Sequence, residues 1–474
     1  MSERRRRTKI VATIGPATRE PDVLRELIEA GADVVRLNFS HGTEEEHAEL
    51  ISHVREASGK VGTEVGVLGD IPGPKLRLDE LEGGVVDVDP GSQLTLTSDE
   101  VLGTRERLPV SWGGLAHAVD AGDAVYLADG RIRLRVLDTS GGDVRCEAEV
   151  GGPVASHQGI NLPGADALPS VSEEDLRWVD FAVSHGVDLL AVSFVRSRSD
   201  LEPVEQRLRE QGSDIPLIAK IEKPQAAANA EEIVKAALSG IMVARGDLGI
   251  EVPIASVPVL QKRLIALAGR NSKPAITATQ MLASMVTADR PTRAEVTDVA
   301  NAIYDGTDAV MLSEETAVGE HPVEAVRVMD QIACETEPAL PYGTWLFNRV
   351  ATDNEDVAAS VARAAVGSTY TLGLVALVVP TNSGRTARLV SAHRPEVPVL
   401  AVSPRAETVR RLNLLFGVRC VQSPDRDDFR ELLDDCARLA REDGIAASGD
   451  LIGVTAGLPD QKLGTNLFEV HRVP

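Results

Sequence analysis

The chain has 474 residues, too many for one core and enough for roughly three domains at about 150 residues each. Apolar residues make up 43% and charged residues 26%, which excludes a wholly disordered or collagen-like chain. The 49 basic residues face 72 acidic ones, and the net charge of −23 should repel nucleic acid and anionic membrane; at 3%, aromatics leave little for base stacking.

The opening MSERRRR reads as a solvated basic tail, and the apolar run behind it, 10–14, is too short for a signal peptide. No run approaches the roughly twenty apolar residues that span a bilayer. Short β-rich apolar runs then recur at 8–15, 34–40, 65–71, 189–196, 216–223, 240–246, 275–280 and 309–314. Segments of helical period separate them. Between the first two, Pro21 suits a first helical position, Val23, Leu24, Leu27 and Ile28 share a face, and Gly31 ends the helix. Before the fourth run's helix, Ser172 and Asp175 fit a capping box and Gly186 a stop. Eight such units predict an α/β fold, a (β/α)8 TIM barrel over 1–72 and 170–335, whose chemistry sits at the C-terminal strand ends.

The spacing breaks at 73–169, where residues rich in Gly, Asp and Val alternate in short strands near 125–127 and 131–137. This predicts a small β domain inserted into a barrel loop as a lid. A Pro-containing stretch, 336–355, reads as a linker. From 356 to 474 a separate α/β domain follows, with strands near 374–379, 399–402, 418–421, 451–455 and 467–470. Four scattered cysteines without a CxxC pair point to a reduced, cytoplasmic protein. The HExxH and GxxxxGK[ST] patterns are absent.

Strands buried in a barrel should be apolar, because an unpaired buried charge costs several kcal/mol. Yet these runs end in Arg36 and Asn38, Asp70, Lys220 and Glu222, Arg245 and Asp247, Thr279, and Ser313 with Glu314. Any one of them alone fits a structural salt bridge at a barrel rim, but six polar strand ends together point to one site. Lys220 and Glu222, two apart, share a strand face. Glu222 with Asp247 offers two hard oxygen ligands that suit Mg2+ or Mn2+, and Lys220 with Arg36 would neutralise an anionic group. These are the parts that phosphoryl transfer requires.

The runs TKIVATIGPAT (8–18), VVRLNFSHG (34–42), LGDIPGPKLR (68–77), IAKIEKPQA (218–226), VARGDLGIE (243–251), ITATQMLASM (276–285), RPTRAEVTDVANAIYDGTDAVMLSEETA (290–317) and NSGRTARL (382–389) resemble the pyruvate kinase family, in family order and over almost the whole chain. The resemblance implies phosphate transfer from phosphoenolpyruvate to ADP, a C-terminal regulatory domain and a homotetramer. It implies that Lys220 stabilises the phosphoryl group in flight, that Glu222 and Asp247 hold the divalent metal, and that Arg36 grips the phosphate. Arg77 would meet the nucleotide phosphates, with Pro16, Asn38, His41 and the lid residue Asp129 at nucleotide positions. Thr279, with Ser313 behind it, falls where a proton reaches the enolate, and the backbone of Arg245, Gly246 and Asp247 would receive the substrate carboxylate.

The family's potassium positions match Asn38, Ser40, Asp70 and the carbonyl of Ile71, but Lys75 stands where potassium-binding members carry a glutamate. Its ammonium would supply the charge in place of the ion, so potassium dependence is in doubt. Pro72 replaces a usual polar residue without an arguable consequence, and Glu314 stands where small residues are frequent, to perturb a helix start or to be solvated. Thr381, Asn382, Ser383, Gly384, Arg385 and Thr386 fall between a strand and a helix, where hydroxyls and N–H groups suit an anion; the resemblance implies a phosphorylated allosteric effector there. Two other readings use similar parts. A carboxylase-like lyase would share the metal-bound enolate but lack the ADP site and lid, and a metabolite sensor would have no need of Lys220, Glu222, Asp247 and Thr279 together.

Overall fold

A computed structural model describes residues 6–74, 76–128, 130–162, 170–236, 239–349, 356–426, 428–457 and 464–474. Eight parallel strands close a barrel: β1 (Lys9–Ile14), β2 (Val34–Asn38), β3 (Gly66–Ile71), β4 (Leu189–Val192), β5 (Leu217–Ile221), β6 (Gly240–Ala244), β7 (Ala275–Ala278) and β8 (Ala309–Leu312). Neighbours follow chain order, and β1 closes on β8. The (β/α)8 expectation therefore holds, whereas the solvated-tail expectation fails for Arg6 and Arg7: Arg6 pairs with Asp33 and Asp330, each at 2.7 Å, and Arg7 donates to the Tyr342 hydroxyl at 2.8 Å.

Strand parity explains the site. Val11, Val34, Leu68, Ile218, Met242 and Ile276 fill the barrel interior with Leu414, which comes from the C-terminal region. Two residues further along the same faces stand Thr13, Arg36, Asp70 and Lys220, so the inward faces are apolar low in the barrel and polar at its C-terminal end. The outward faces pack beneath the helices in a second, larger core.

The helix Pro21–Glu29 starts on its proline and buries Leu24, Leu27 and Ile28. Glu173–Ser184 carries the Ser172/Asp175 capping box. The strands end sooner than the apolar runs: Arg245–Glu251 is a short helix, and Asp247 sits in its first turn rather than on β6. Glu314 is exposed and opens another short helix, Glu314–Ala317. It is thus solvated.

Between β3 and β4 the chain builds a seven-stranded sheet, entered at Leu76–Arg77 and left at Gly159–Asn161, strands that pair with each other. Leu94, Leu96, Val125, Leu134 and Val144 form its own core. It also holds a short helix, Leu115–Ala118, which departs from an all-β reading. The stretch after 335 is more ordered than its prolines suggest: Tyr342–Asn348 is helical and buries Tyr342 and Leu346. Its residues 350–355 lie outside the described ones.

The C-terminal sheet orders Val418–Gln422, Val399–Ser403, Ala376–Pro380, Leu451–Ala456 and Leu467–Arg472, with only the last pair antiparallel. It is keyed to the barrel through Arg394, which is fully buried and donates to Asp308 Oδ1 at 2.8 Å and to the Gly306 carbonyl at 2.7 Å.

Candidate active site

Lys220 is the centre of the cluster. Its Nζ lies 2.9 Å from Glu222 Oε1 and 3.2 Å from Asp70 Oδ1, and it donates to Ser193 Oγ at 2.7 Å. Arg36, from β2, donates to Asp70 Oδ2 at 2.7 Å and to Thr13 Oγ1 at 3.2 Å. Burial alone would push the Asp70 carboxyl up, but Lys220 and Arg36 outweigh it and hold the group below the usual carboxylate range. The same logic keeps Lys220 charged: burial disfavours the ammonium, and Asp70 and Glu222 more than restore it.

Glu222 behaves in the opposite way. Burial, with Asp247 close enough to add to it, raises its pKa despite Lys220. Its second oxygen accepts from the Phe194 backbone N–H at 2.8 Å, and Phe194 takes a left-handed φ of 54° to present it. A buried carboxylate whose proton affinity is raised by a second carboxylate beside it fits a cation between the two. The donor set supports this: Asn161 sends Nδ2 to within 3.5 Å of Asp247 Oδ1, while its own buried Oδ1 has no hydrogen-bond partner. Among the described residues, no group of three or more His, Cys, Asp or Glu side chains could hold a metal. Glu222 and Asp247 would thus leave coordination positions open, as Mg2+-type sites do.

Gly246 and Thr279 form the wall beside Asp247. A Cβ on Gly246 would stand 2.7 Å from Thr279 Cγ2, so only glycine fits. Thr279 itself has φ 74°. The Arg245 guanidinium turns away from the cluster, donating to the Ala278 and Thr279 carbonyls at 3.1 and 2.7 Å and pairing with Asp298 at 2.6 Å. Only its backbone is left to face a ligand.

Other expected residues sit apart. Arg77 lies on the first lid strand and donates to the His157 carbonyl at 3.1 Å. Pro16 and His41 are exposed on loops above β1 and β2. Asn38 Oδ1 accepts from the Ser40 N–H at 3.3 Å, and the Ile71 carbonyl accepts from Ser193 at 2.7 Å. The Ser313 N–H donates to Glu315 Oε2 at 2.7 Å. Lys75 and Asp129 lie outside the described residues; next to the latter, a Cβ on Gly130 would come within 3.2 Å of Ile250 Cγ1, so the lid tip rests on the helix that carries Asp247. In the C-terminal domain, Thr381 Oγ1 accepts from the Gly384 N–H at 3.0 Å, Asn382 reaches Asp425, Arg385 pairs with Asp356, and Thr386 bonds Thr465.

Sequence reasoning passed over Ser193, Asn161 and Glu315. Ser193 offers no signal beyond a hydroxyl after an apolar strand. Asn161 belongs to the inserted segment and reaches the barrel only through the tertiary fold. Glu315 is buried and ties two strand ends, accepting from the N–H groups of Leu282 and Ser313.

A barrel with a polar C-terminal rim of Lys, Arg and paired carboxylates beneath an inserted domain defines a phosphotransfer-type enzyme. The chain belongs to the pyruvate kinase family: the family's barrel-domain model matches residues 5–326 and its alpha/beta-domain model residues 359–471. It is 43% identical over 472 residues to a pyruvate kinase of Geobacillus stearothermophilus, covering 98% of this chain and 80% of the relative. It is 40% identical to one of Thermococcus litoralis, covering 99% of each. A solved pyruvate kinase from Cryptosporidium parvum superposes with a TM-score of 0.93 at 35% identity, covering 99% of this chain and 96% of that one. Membership carries a divalent metal requirement.

Proposed function

We propose that this chain transfers the phosphoryl group of phosphoenolpyruvate to ADP at the Lys220 cluster. The observation that carries the reading is the placement of Lys220 Nζ between Asp70 and Glu222 at the open end of the barrel. Arg36 and Lys220 bind the phosphoryl group, and Lys220 stabilises the charge that develops as it leaves. Gly246 and the adjoining backbone N–H groups receive the carboxylate, with Arg245 holding that turn against β7. Thr279, with Ser313 behind it, conducts a proton to the enolate carbon.

Glu222 and Asp247 would hold the divalent ion, Mg2+ or Mn2+. When bound, it supplies Lewis-acid stabilisation of the enolate oxygen. Arg77, Pro16, Asn38, His41 and Asp129 take the nucleotide, and the lid over 73–169 excludes water from it. Potassium at Asn38, Ser40, Asp70 and Ile71 is dispensable, because the sequence carries a lysine, Lys75, in place of the glutamate of potassium-binding members, and its ammonium would supply the charge of the ion.

The domain at 356–474 binds a phosphorylated effector at 381–386, and the protein acts as a homotetramer in the cytoplasm. Its cysteines form no disulfide, and burial pushes the thiols of Cys146, Cys420 and Cys436 up to about 12, which suits a reducing compartment. No helix among the described residues is long and apolar enough to cross a membrane.

A lactate dehydrogenase-coupled assay with phosphoenolpyruvate, ADP and MgCl2 tests the activity. Pyruvate formation that needs all three supports it, and no turnover refutes it. For the effector, a thermal-shift screen of sugar phosphates and AMP should show a stabilising ligand whose shift disappears in Ser383→Ala and Arg385→Ala. Unchanged shifts in both variants would remove that site.

A further inference from the structure

A cavity of about 220 Å³ lies between the N-terminal end of the barrel strands and the C-terminal domain, at the opposite end of the barrel from Lys220. Barrel residues Asp214 and Ser239 line one side and Ser383, Arg388 and Arg411 the other. The Arg388 guanidinium makes no hydrogen bond or ion pair among the described residues, and its Nε is buried without an acceptor. Arg411 spends one nitrogen on Asp214 at 3.0 Å and likewise leaves Nε buried and unpartnered.

Further basic groups stand beside them. Lys273 and Arg385 both lie close enough to interact with Arg388. Burial, with Arg388 adding to it, pushes the Lys273 ammonium down to about 8. Asp214 is the only acid that lines the cavity among the described residues, and it is already engaged with Arg411; Arg385 is engaged with Asp356. Buried donors without acceptors, beside like charges, are costly unless an anion completes them.

We propose that this cavity is a second anion site, for a phosphate dianion carried free or on a small monoester, which bridges barrel and C-terminal domain. Guanidinium forks favour phosphate geometry, and the cluster's charge favours a dianion over chloride or a carboxylate. The volume exceeds what one phosphate fills, and Leu412 and Leu414 supply an apolar wall for a short carbon chain. The site shares Ser383 and Gly384 with the effector turn but takes half its wall from the barrel, and it stands or falls independently of that reading.

The test is anomalous scattering from selenate, a tetrahedral dianion, soaked at millimolar concentration into crystals of the full chain. This locates the ion directly, so binding near Lys220 cannot be mistaken for it. A peak within hydrogen-bond reach of Arg388 Nε is expected, kept in Arg385→Ala and reduced at least tenfold in occupancy in Arg388→Met. Arg388→Lys, which keeps the charge, should retain a weaker peak and covers the case in which the methionine variant fails to fold. Displacement by inorganic phosphate and glycerol 3-phosphate alike would make the dianion the whole ligand, and stronger displacement by the monoester would add the carbon chain. Either result upholds the site. An empty cavity in crystals whose barrel site is filled, or a peak unchanged in Arg388→Met and so an adventitious ion only, would overturn it.

Discussion

Gly246 faces Thr279 so closely that a single added methyl group would stand 2.7 Å from the threonine Cγ2, and Thr279 is itself held at a left-handed φ of 74°. Arg245 clamps this pair by bonding the Thr279 carbonyl. The wall of the site is therefore set by backbone fit, with strain of order 1–3 kcal/mol held by its surroundings. Gly246→Ala should lower kcat/KM at least tenfold, and because the added methyl must displace Thr279 or the helix start that Arg245 clamps, the melting temperature should fall as well. A variant with full activity would show that the contact is idle.

Lys220→Met should reduce kcat by several orders of magnitude, since a charge aimed at the transferring group is worth several kcal/mol in the transition state. The loss of stability should be smaller. Asp70 keeps Arg36, and Glu222, whose proton affinity burial and Asp247 already raise, can neutralise itself. Steady-state kinetics beside thermal melts separate the two effects, and a drop in kcat of less than about tenfold would remove Lys220 from the reaction.

Turnover should be the same in sodium or Tris buffer with and without added KCl. Asp70, the one formal charge at the potassium positions, is already bonded to Arg36 and lies 3.2 Å from Lys220 Nζ, and the sequence carries Lys75 where potassium-binding members carry a glutamate. Potassium activation of tenfold or more would contradict this.

His393 is buried at the end of the helix Arg385–Ala392, and burial, aided by Arg363, lowers its pKa to about 4. Below about pH 6.5 the unfolded chain takes up a proton that the folded one refuses, so stability falls between about pH 6.5 and 4, by on the order of 3 kcal/mol in full. Urea midpoints should therefore drop between pH 7 and pH 5 in the parent and drop less in His393→Gln. Parallel pH profiles would exclude this histidine as the cause.

The barrel was legible because each strand repeats the same grammar, an apolar run that turns polar at its end, and the residues that break the apolar rule are those the fold gathers: Arg36, Asp70, Lys220 and Glu222. Asp247 and Gly246 were legible as residues but not as a helix start, because a seven-residue helix leaves too short a period to read. Ser193 and Asn161 were invisible for a different reason. A hydroxyl and an amide carry no pattern, and only the closing of the barrel and the return of the lid chain bring them to Lys220 and Asp247. The helix Tyr342–Asn348 was hidden by flanking prolines, which read as a linker although one of them caps it.

The most direct measurement is Mn2+ binding to the full chain, read by electron paramagnetic resonance, in the parent protein and in Glu222→Gln and Asp247→Asn. Both substitutions keep the shape and remove one charge, so each should weaken binding at least tenfold, while Arg77→Gln, on the lid strand, should leave it unchanged. Equal affinity in all four proteins would contradict a cation held between Glu222 and Asp247, and with it the chemistry assigned to the barrel.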